Sequence, residues 1–128
     1  MYAVGRDHPN KQASLTLLTK IANAEIEATI DAEILQEILH RYRSINRWED
    51  GQRVYELAYR LFPNVLPITV EVMDQALRLM NENDSIQCRD AVHAGVVAAY
   101  KLEAILTFDS DFDRIPGLQR ITPSTDGQ

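Results

Sequence analysis

A short apolar run near the end of the chain, residues 104–108, stops abruptly at two carboxylates, Asp109 and Asp111. A run of this length and composition predicts a buried β-strand. In an open parallel sheet, ligands bind at the carboxyl ends of the strands. Carboxylates at that position are suited to holding a hard divalent cation. This one segment therefore constrains both the fold and the chemistry of the chain.

The rest of the chain predicts helices alternating with short strands. Hydrophobic periodicity, caps and proline positions predict helices over residues 9–24, 32–45, 49–62, 70–81 and 88–101, and strands over residues 26–30, 65–68, 104–108 and 118–121. Strands separated by helices of this length pair in parallel through right-handed crossovers. The sequence therefore predicts an α/β fold, a three-layer α/β/α sandwich with a mainly parallel sheet.

Size and composition favour one ordinary domain in a reducing compartment. The chain has 128 residues, which predicts a single domain over residues 1–128, with a flexible polar tail at 123–128. It has one cysteine, no secretory signal and no 18-residue apolar run, so we expect a cytoplasmic protein without a membrane span. The net charge of −6 argues against a broad basic face that coats nucleic acid, but not against a nuclease that works through metal ions.

Two more carboxylates stand out. Asp90 begins a helix that is otherwise almost wholly apolar, beside a small-residue stripe formed by Ala91, Ala94 and Ala98. An unpaired carboxylate is costly to bury there, so we favour a functional role over a simple interaction with the helix dipole. Glu37 flanks the apolar face of its helix, and the pattern alone fits a solvated glutamate nearly as well.

These segments together resemble a known family. Residues 89–94, followed by 106–112, resemble the C-terminal half of a PIN-domain ribonuclease, and most closely the VapC-type toxins of toxin–antitoxin pairs. Residues 31–41 resemble the family's second helix, with Glu37 at its acidic position. Residues 1–9 resemble the stretch after the family's first strand. The likeness is weakest in the middle of the chain.

The resemblance implies a toxin that hydrolyses RNA phosphodiester bonds as an endoribonuclease dependent on Mg²⁺ or Mn²⁺. It implies Glu37, Asp90 and Asp109 as the main metal-site acids, Asp111 as a fourth and more variable acid, and Thr107 as a hydroxyl near the site. It also implies an RNA substrate and a cognate antitoxin protein as partners, and we expect a homodimer.

The chain departs from the family at its start. The family begins with a buried central strand that ends in Asp-Thr-Asn, whose Asp is the first metal ligand, and this chain lacks that strand. Asp7 cannot replace the missing acid because it stands beside Pro9 at a helix start. We expect either that Met1 is an internal methionine of a longer protein, or that the domain is truncated and rearranges or pairs with a partner.

Other interpretations stay open at this point. A degenerate PIN domain that binds a partner protein is the main alternative, and an unrelated phosphohydrolase or receiver-like domain is a distant one. Asp109 could be a strand-end turn residue, and Asp111 could cap the turn through Asp113 and Arg114. We expect His93 to be structural or on the surface, and Cys88 to be a small buried residue.

One third of the chain concentrates arginines and aromatic residues: Arg41, Tyr42, Arg43, Arg47, Trp48, Arg53, Tyr55, Tyr59 and Arg60. Two amphipathic helices with solvated arginines explain this pattern. It also fits a surface where RNA phosphates and unstacked bases bind, a groove for an antitoxin helix, or a homodimer face.

Overall fold

The computed structural model describes residues 11–25 and 27–123. They belong to two compact units. The first unit is formed by the described parts of Met1–Glu27 and Glu103–Gln128, and the second unit by Ala28–Leu102. The predicted helix start at Pro9, the strand start at Ile26 and the tail from residue 124 onward lie outside the described residues. The assignment of the whole chain to one domain stays a prediction.

Among the described residues, the first unit contains one α-helix, a pair of strands and a short 3₁₀-helix. Their bounds are α1 Lys11–Ala22, β1 Ile105–Leu106, the 3₁₀-helix Ser110–Arg114, and β2 Arg120–Ile121. The second unit contains α2 Ala32–Ser44, α3 Trp48–Leu61, α4 Val70–Glu82 and α5 Cys88–Ala99. Every predicted helix is present, with ends within about two residues of the prediction where they can be compared.

The strand pairing is parallel, as predicted, but shorter. β1 pairs with β2, with Ile105 opposite Arg120. In the second unit, pairing is reduced to one parallel bridge between Asp31 and Leu66. This ladder stops because the chain enters α2 at Ala32, directly after the paired residue Asp31. The predicted α/β class is confirmed, with a smaller sheet than expected.

Two helix pairs of the second unit approach closely at glycines. A Cβ atom built at Gly95 of α5 would lie 2.7 Å from the carbonyl oxygen of Val72 in α4. A Cβ atom built at Gly51 of α3 would lie 2.6 Å from the Cβ atom of Tyr42 in α2. Each contact is thus possible only without a side chain on the glycine. In the pair formed by α2 and α3, the buried residues of α2 are Leu35, Ile38 and Tyr42. Val54 and Ala58 of α3 pack against them.

The periodicity over-predicts burial at two positions of this helix pair. The apolar periodicity of the two helices predicts that Leu39 of α2 and Leu57 of α3 face the core, but their exposed fractions are 37% and 50%. The stripe that packs on α3 follows the spacing i, i+3 and i+7 from Leu35, and Leu39 lies at its border. Leu39 instead lines a shallow surface depression with Gln52, Tyr55 and Glu56.

Three helices end in the left-handed conformation without a glycine. Ala24, Asn46 and Lys101 have φ values of 59°, 59° and 55°. In each case the next residue donates its backbone N–H to a carbonyl five residues earlier, as Leu102 does to Val97 at 2.9 Å. This is the Schellman arrangement, in which glycine is the favoured residue.

Candidate active site

Asp31 connects the start of α2 to the middle of α5. One carboxylate oxygen, Oδ1, accepts the backbone N–H of Ile34 at 3.1 Å and so caps the helix. The other, Oδ2, lies 2.6 Å from Nδ1 of His93. The side chains of Asp31 and His93 are only 6% and 10% exposed. Aspartate is a common N-cap residue, and here it has a second role that the sequence did not indicate.

His93 bridges Asp31 to Glu37. Its second ring nitrogen, Nε2, lies 3.0 Å from Oε1 of Glu37. Burial of the ring opposes protonation and is the largest single influence on its pKa. The hydrogen bonds and negative charges of Asp31 and Glu37 together outweigh that burial and raise the pKa of His93 from 6.5 to about 9. The imidazole is therefore a cation at neutral pH and donates one N–H to each carboxylate.

This bridge fixes the orientation of Glu37. The glutamate is half-buried on α2, one turn beyond Glu33, and its Oε1 also lies 3.7 Å from Nε of Arg89 on α5. Burial raises the pKa of the Glu33 carboxyl, and the neighbouring Glu37 charge raises it further. The turn of α2 that faces α5 is thus acidic, and the two cations of α5 partly neutralise it.

Asp90 lies between Arg89 and His93 in the first turn of α5 and is half-buried. Arg89 directly precedes Asp90, and His93 follows it three residues later on the same helix. Both of these residues contact Glu37. Within the second unit, the structure therefore places the two predicted acids on helices that meet at Glu37.

Asp109 and Asp111 share one turn of the first unit. Thr107 Oγ1 accepts the backbone N–H of Asp109 at 3.1 Å, and Asp109 Oδ1 accepts the backbone N–H of Asp111 at 2.9 Å. Asp109, rather than Asp111, is the N-cap of the 3₁₀-helix, so the alternative in which Asp111 caps this turn is wrong. Both carboxylates are solvent-exposed, and Asp111 Oδ1 lies 3.7 Å from Nη2 of Arg114.

A guanidinium group ties this turn to β2. Arg120 donates from Nε and Nη2 to the two carboxylate oxygens of Asp113 at 2.8 and 3.0 Å. This hydrogen bonding lowers the pKa of the Asp113 carboxyl. Arg120 also donates to the hydroxyl of Thr122 at 2.7 Å. A further hydrogen bond from Arg120 Nη1 to the backbone oxygen of Thr107 at 3.4 Å holds the end of β1 beside β2.

The chemistry of the predicted acids fits a hard divalent ion. Glu37, Asp90, Asp109 and Asp111 offer only carboxylate oxygens, which Mg²⁺ and Mn²⁺ prefer. His93 does not fit a ligand role because both ring nitrogens already bond to carboxylates, which confirms its expected structural role. The expectation that Cys88 is buried is wrong. Its side chain is exposed at the first position of α5, whereas the buried stretch of this helix begins at Ala91.

Comparison with known proteins identifies the family. The family model described as "PIN domain" matches residues 1–118. The chain belongs to the PIN-domain family. It is 34% identical over 121 residues to VapC ribonuclease Mb1869c of Mycobacterium bovis and to ribonuclease VapC13 of Mycobacterium tuberculosis, matches that cover 94% of this chain and 92% of each relative.

A more distant relative extends the match. Ribonuclease VapC7 of M. tuberculosis is 28% identical over 131 residues, covering 99% of this chain and 88% of the relative. No solved structure matches the chain significantly. Among the described residues of this PIN-domain chain, no helix has the length and apolar character required to cross a membrane.

Proposed function

We propose that this PIN-domain chain is a metal-dependent endoribonuclease that hydrolyses RNA phosphodiester bonds, and that it is the cytoplasmic toxin of a toxin–antitoxin pair. The observation that carries the proposal is the match along 94% of the chain to proteins named VapC ribonucleases. The geometry within each unit supports it, because Glu37 is hydrogen-bonded to His93 and Asp109 caps the 3₁₀-helix that follows β1.

Glu37, Asp90, Asp109 and Asp111 are the proposed metal-site acids. The chemistry supplied by a bound Mg²⁺ or Mn²⁺ ion is activation of a water molecule and neutralisation of charge on the phosphate. The protein's part is to hold oxygen ligands in place. His93 holds the Glu37 carboxylate in one orientation, and Thr107 fixes the backbone that carries Asp109. Fixing ligands in this way before the substrate arrives lowers the reorganisation cost of the reaction.

The proposal is tested by RNA cleavage on the full chain with Mg²⁺, with Mn²⁺ and with excess chelator. We expect cleavage with the ions and none with chelator. Asp90→Asn and Asp109→Asn remove one charged ligand each while preserving side-chain size, and we expect each to lower the rate about 100-fold or more, because the metal supplies several kcal/mol of charge stabilisation. Asp84→Asn, which changes an exposed acid in the turn after α4, is the matched control.

Normal cleavage by Asp90→Asn or Asp109→Asn would refute the assigned roles. Absence of cleavage under all conditions, with a folded protein, would favour the alternative of a degenerate PIN domain that acts by binding a partner protein. The proposal also includes two protein partners, a cognate antitoxin and a second copy of this chain. Light scattering on the purified protein tests the homodimer.

A further inference from the structure

The arginine-rich and aromatic third of the chain has no role in the proposed metal site. The structure gives several of its members different surroundings. Tyr42 is buried, and Tyr55 packs against the same core and against the ring of Tyr59, with 5.5 Å between the two ring centroids. Arg47 and Arg53 both bind Asp50, at 2.6 and 3.0 Å. Of the exposed aromatic residues, Trp48 is the one that an arginine covers.

The guanidinium carbon of Arg43 lies 4.1 Å from the centroid of the Trp48 ring. This is a cation–π contact at close range, and it joins the end of α2 to the first residue of α3. The loop between them, residues 45–47, is short and turns at Asn46, whose φ is 59°. The short loop therefore brings the two side chains together at this end of the hairpin. Trp48 remains 36% exposed despite the contact.

We propose that Arg43 and Trp48 form a stacking site for an unpaired base of single-stranded RNA, on the same hairpin whose α2 carries Glu37. This inference rests on the proposed ribonuclease function and specifies where its substrate is held. RNA recognition relies on splayed bases that stack on aromatic rings and arginine planes. A base that stacks on the exposed part of the indole ring would extend the arginine–tryptophan stack by one layer.

The charge around the stack favours RNA, and the exposed apolar side chains of the same hairpin, Leu39 and Leu57, make a protein partner the outcome that the test must separate from it. Residues 40–60 contain five arginines and three acids, for a local charge of +2 in a chain of net charge −6. The paired residues Arg47, Asp50 and Arg53 give this end of the hairpin a charged border. Phosphates on either side of a stacked base would find cations there.

Trp48 is the only tryptophan of the chain, so its fluorescence reports directly on the proposed site. The experiment titrates the full chain with a single-stranded RNA oligonucleotide of mixed sequence, in excess chelator so that no cleavage occurs. We expect saturable quenching of Trp48 fluorescence by the single strand, and much weaker quenching by the same sequence as a duplex. Binding is measured in parallel by the anisotropy of labelled RNA.

Base–aromatic stacking contributes about 1–3 kcal/mol per base, so Trp48→Ala should weaken binding roughly 5- to 150-fold. Trp48→Phe retains a ring and should recover most of the affinity, which separates stacking from a folding defect. Arg43→Gln should weaken both binding and quenching. Arg78→Gln, which removes the same charge from an exposed position of α4, should change binding less than about twofold.

RNA binding without quenching of Trp48, or binding by Trp48→Ala within twofold of the unmodified chain, would overturn the stacking site. So would a Trp48→Ala variant that binds RNA normally but fails to bind a protein partner, since this face would then serve protein recognition. Quenching that follows this pattern in a protein that never cleaves RNA would support the stacking site and contradict only the proposed ribonuclease activity.

Discussion

The buried imidazole of His93 should make the stability of the fold depend on pH. Its side chain is 10% exposed and bonds to Asp31 and Glu37. Burial opposes the charged form, but the two carboxylates outweigh it and raise the pKa of His93 to about 9. The other charges that face this group are Glu33 on α2 and Arg89 on α5. In the unfolded chain the pKa returns to about 6.5.

The sign of the effect follows from proton counting. Between pH 6.5 and 9 the folded state holds one more proton than the unfolded state, so the free energy of unfolding falls by about 1.4 kcal/mol per pH unit. The contribution from His93 is fully present below pH 6.5 and is lost as the pH rises through 9. The total loss is roughly 3 kcal/mol, a large fraction of a typical stability of about 5–15 kcal/mol.

Urea unfolding in chelator, at several pH values between 6 and 9.5, measures this slope. His93→Gln cannot titrate, so its stability curve should lack the fall and approach that of the unmodified chain at high pH. His40→Gln changes an exposed histidine of α2 and is the matched control; it should leave the slope unchanged. An NMR titration that places the pKa of His93 near 6.5, or parallel stability curves for His93→Gln and the unmodified chain, would refute the reasoning.

Three further substitutions test the packing and capping. Gly95→Ala places a methyl group 2.7 Å from the Val72 carbonyl oxygen and should destabilise the fold by about 1–3 kcal/mol through overpacking, measured as a lower urea midpoint. Lys101→Gly relieves a left-handed residue with φ of 55° and should stabilise by about 1 kcal/mol, seen as a higher melting temperature. Asp31→Asn keeps an oxygen for the helix cap but removes the charge beside His93, so it should lower the pKa of His93 in an NMR titration and cost about 1.5–3 kcal/mol at pH 7.

The sequence predicted the helices well because their signals are local. Thr69 and Asp31 each precede an apolar periodic segment, and each accepts a backbone N–H from the first turn of its helix. The sheet was over-predicted because strand length depends on partners elsewhere in the chain. Asp31, which pairs with Leu66, is also the N-cap of α2, and only the paired structure shows that the ladder ends there.

The candidate site shows the same difference between local signals, which the sequence reveals, and contacts between distant residues, which it does not. The family resemblance pointed to Glu37, and the end of a predicted strand pointed to Asp109. Neither signal indicated that His93 bridges Asp31 and Glu37. Asp31 and His93 are 62 residues apart in sequence, and no local pattern links them. The available signal was a lone histidine three residues after Asp90 on an apolar helix, and such a residue requires polar partners once it is buried.

Direct measurement of metal binding tests the central claim, because it does not depend on finding the right RNA. The full chain is titrated with Mn²⁺ by calorimetry at pH 7, beside Glu37→Gln, Asp90→Asn, Asp109→Asn and the control Asp84→Asn. We expect saturable binding by the unmodified chain and the control, and at least tenfold weaker binding by each of the other three. Equal Mn²⁺ affinity in all five proteins, or no saturable binding in any, would contradict the assignment of these acids as metal ligands.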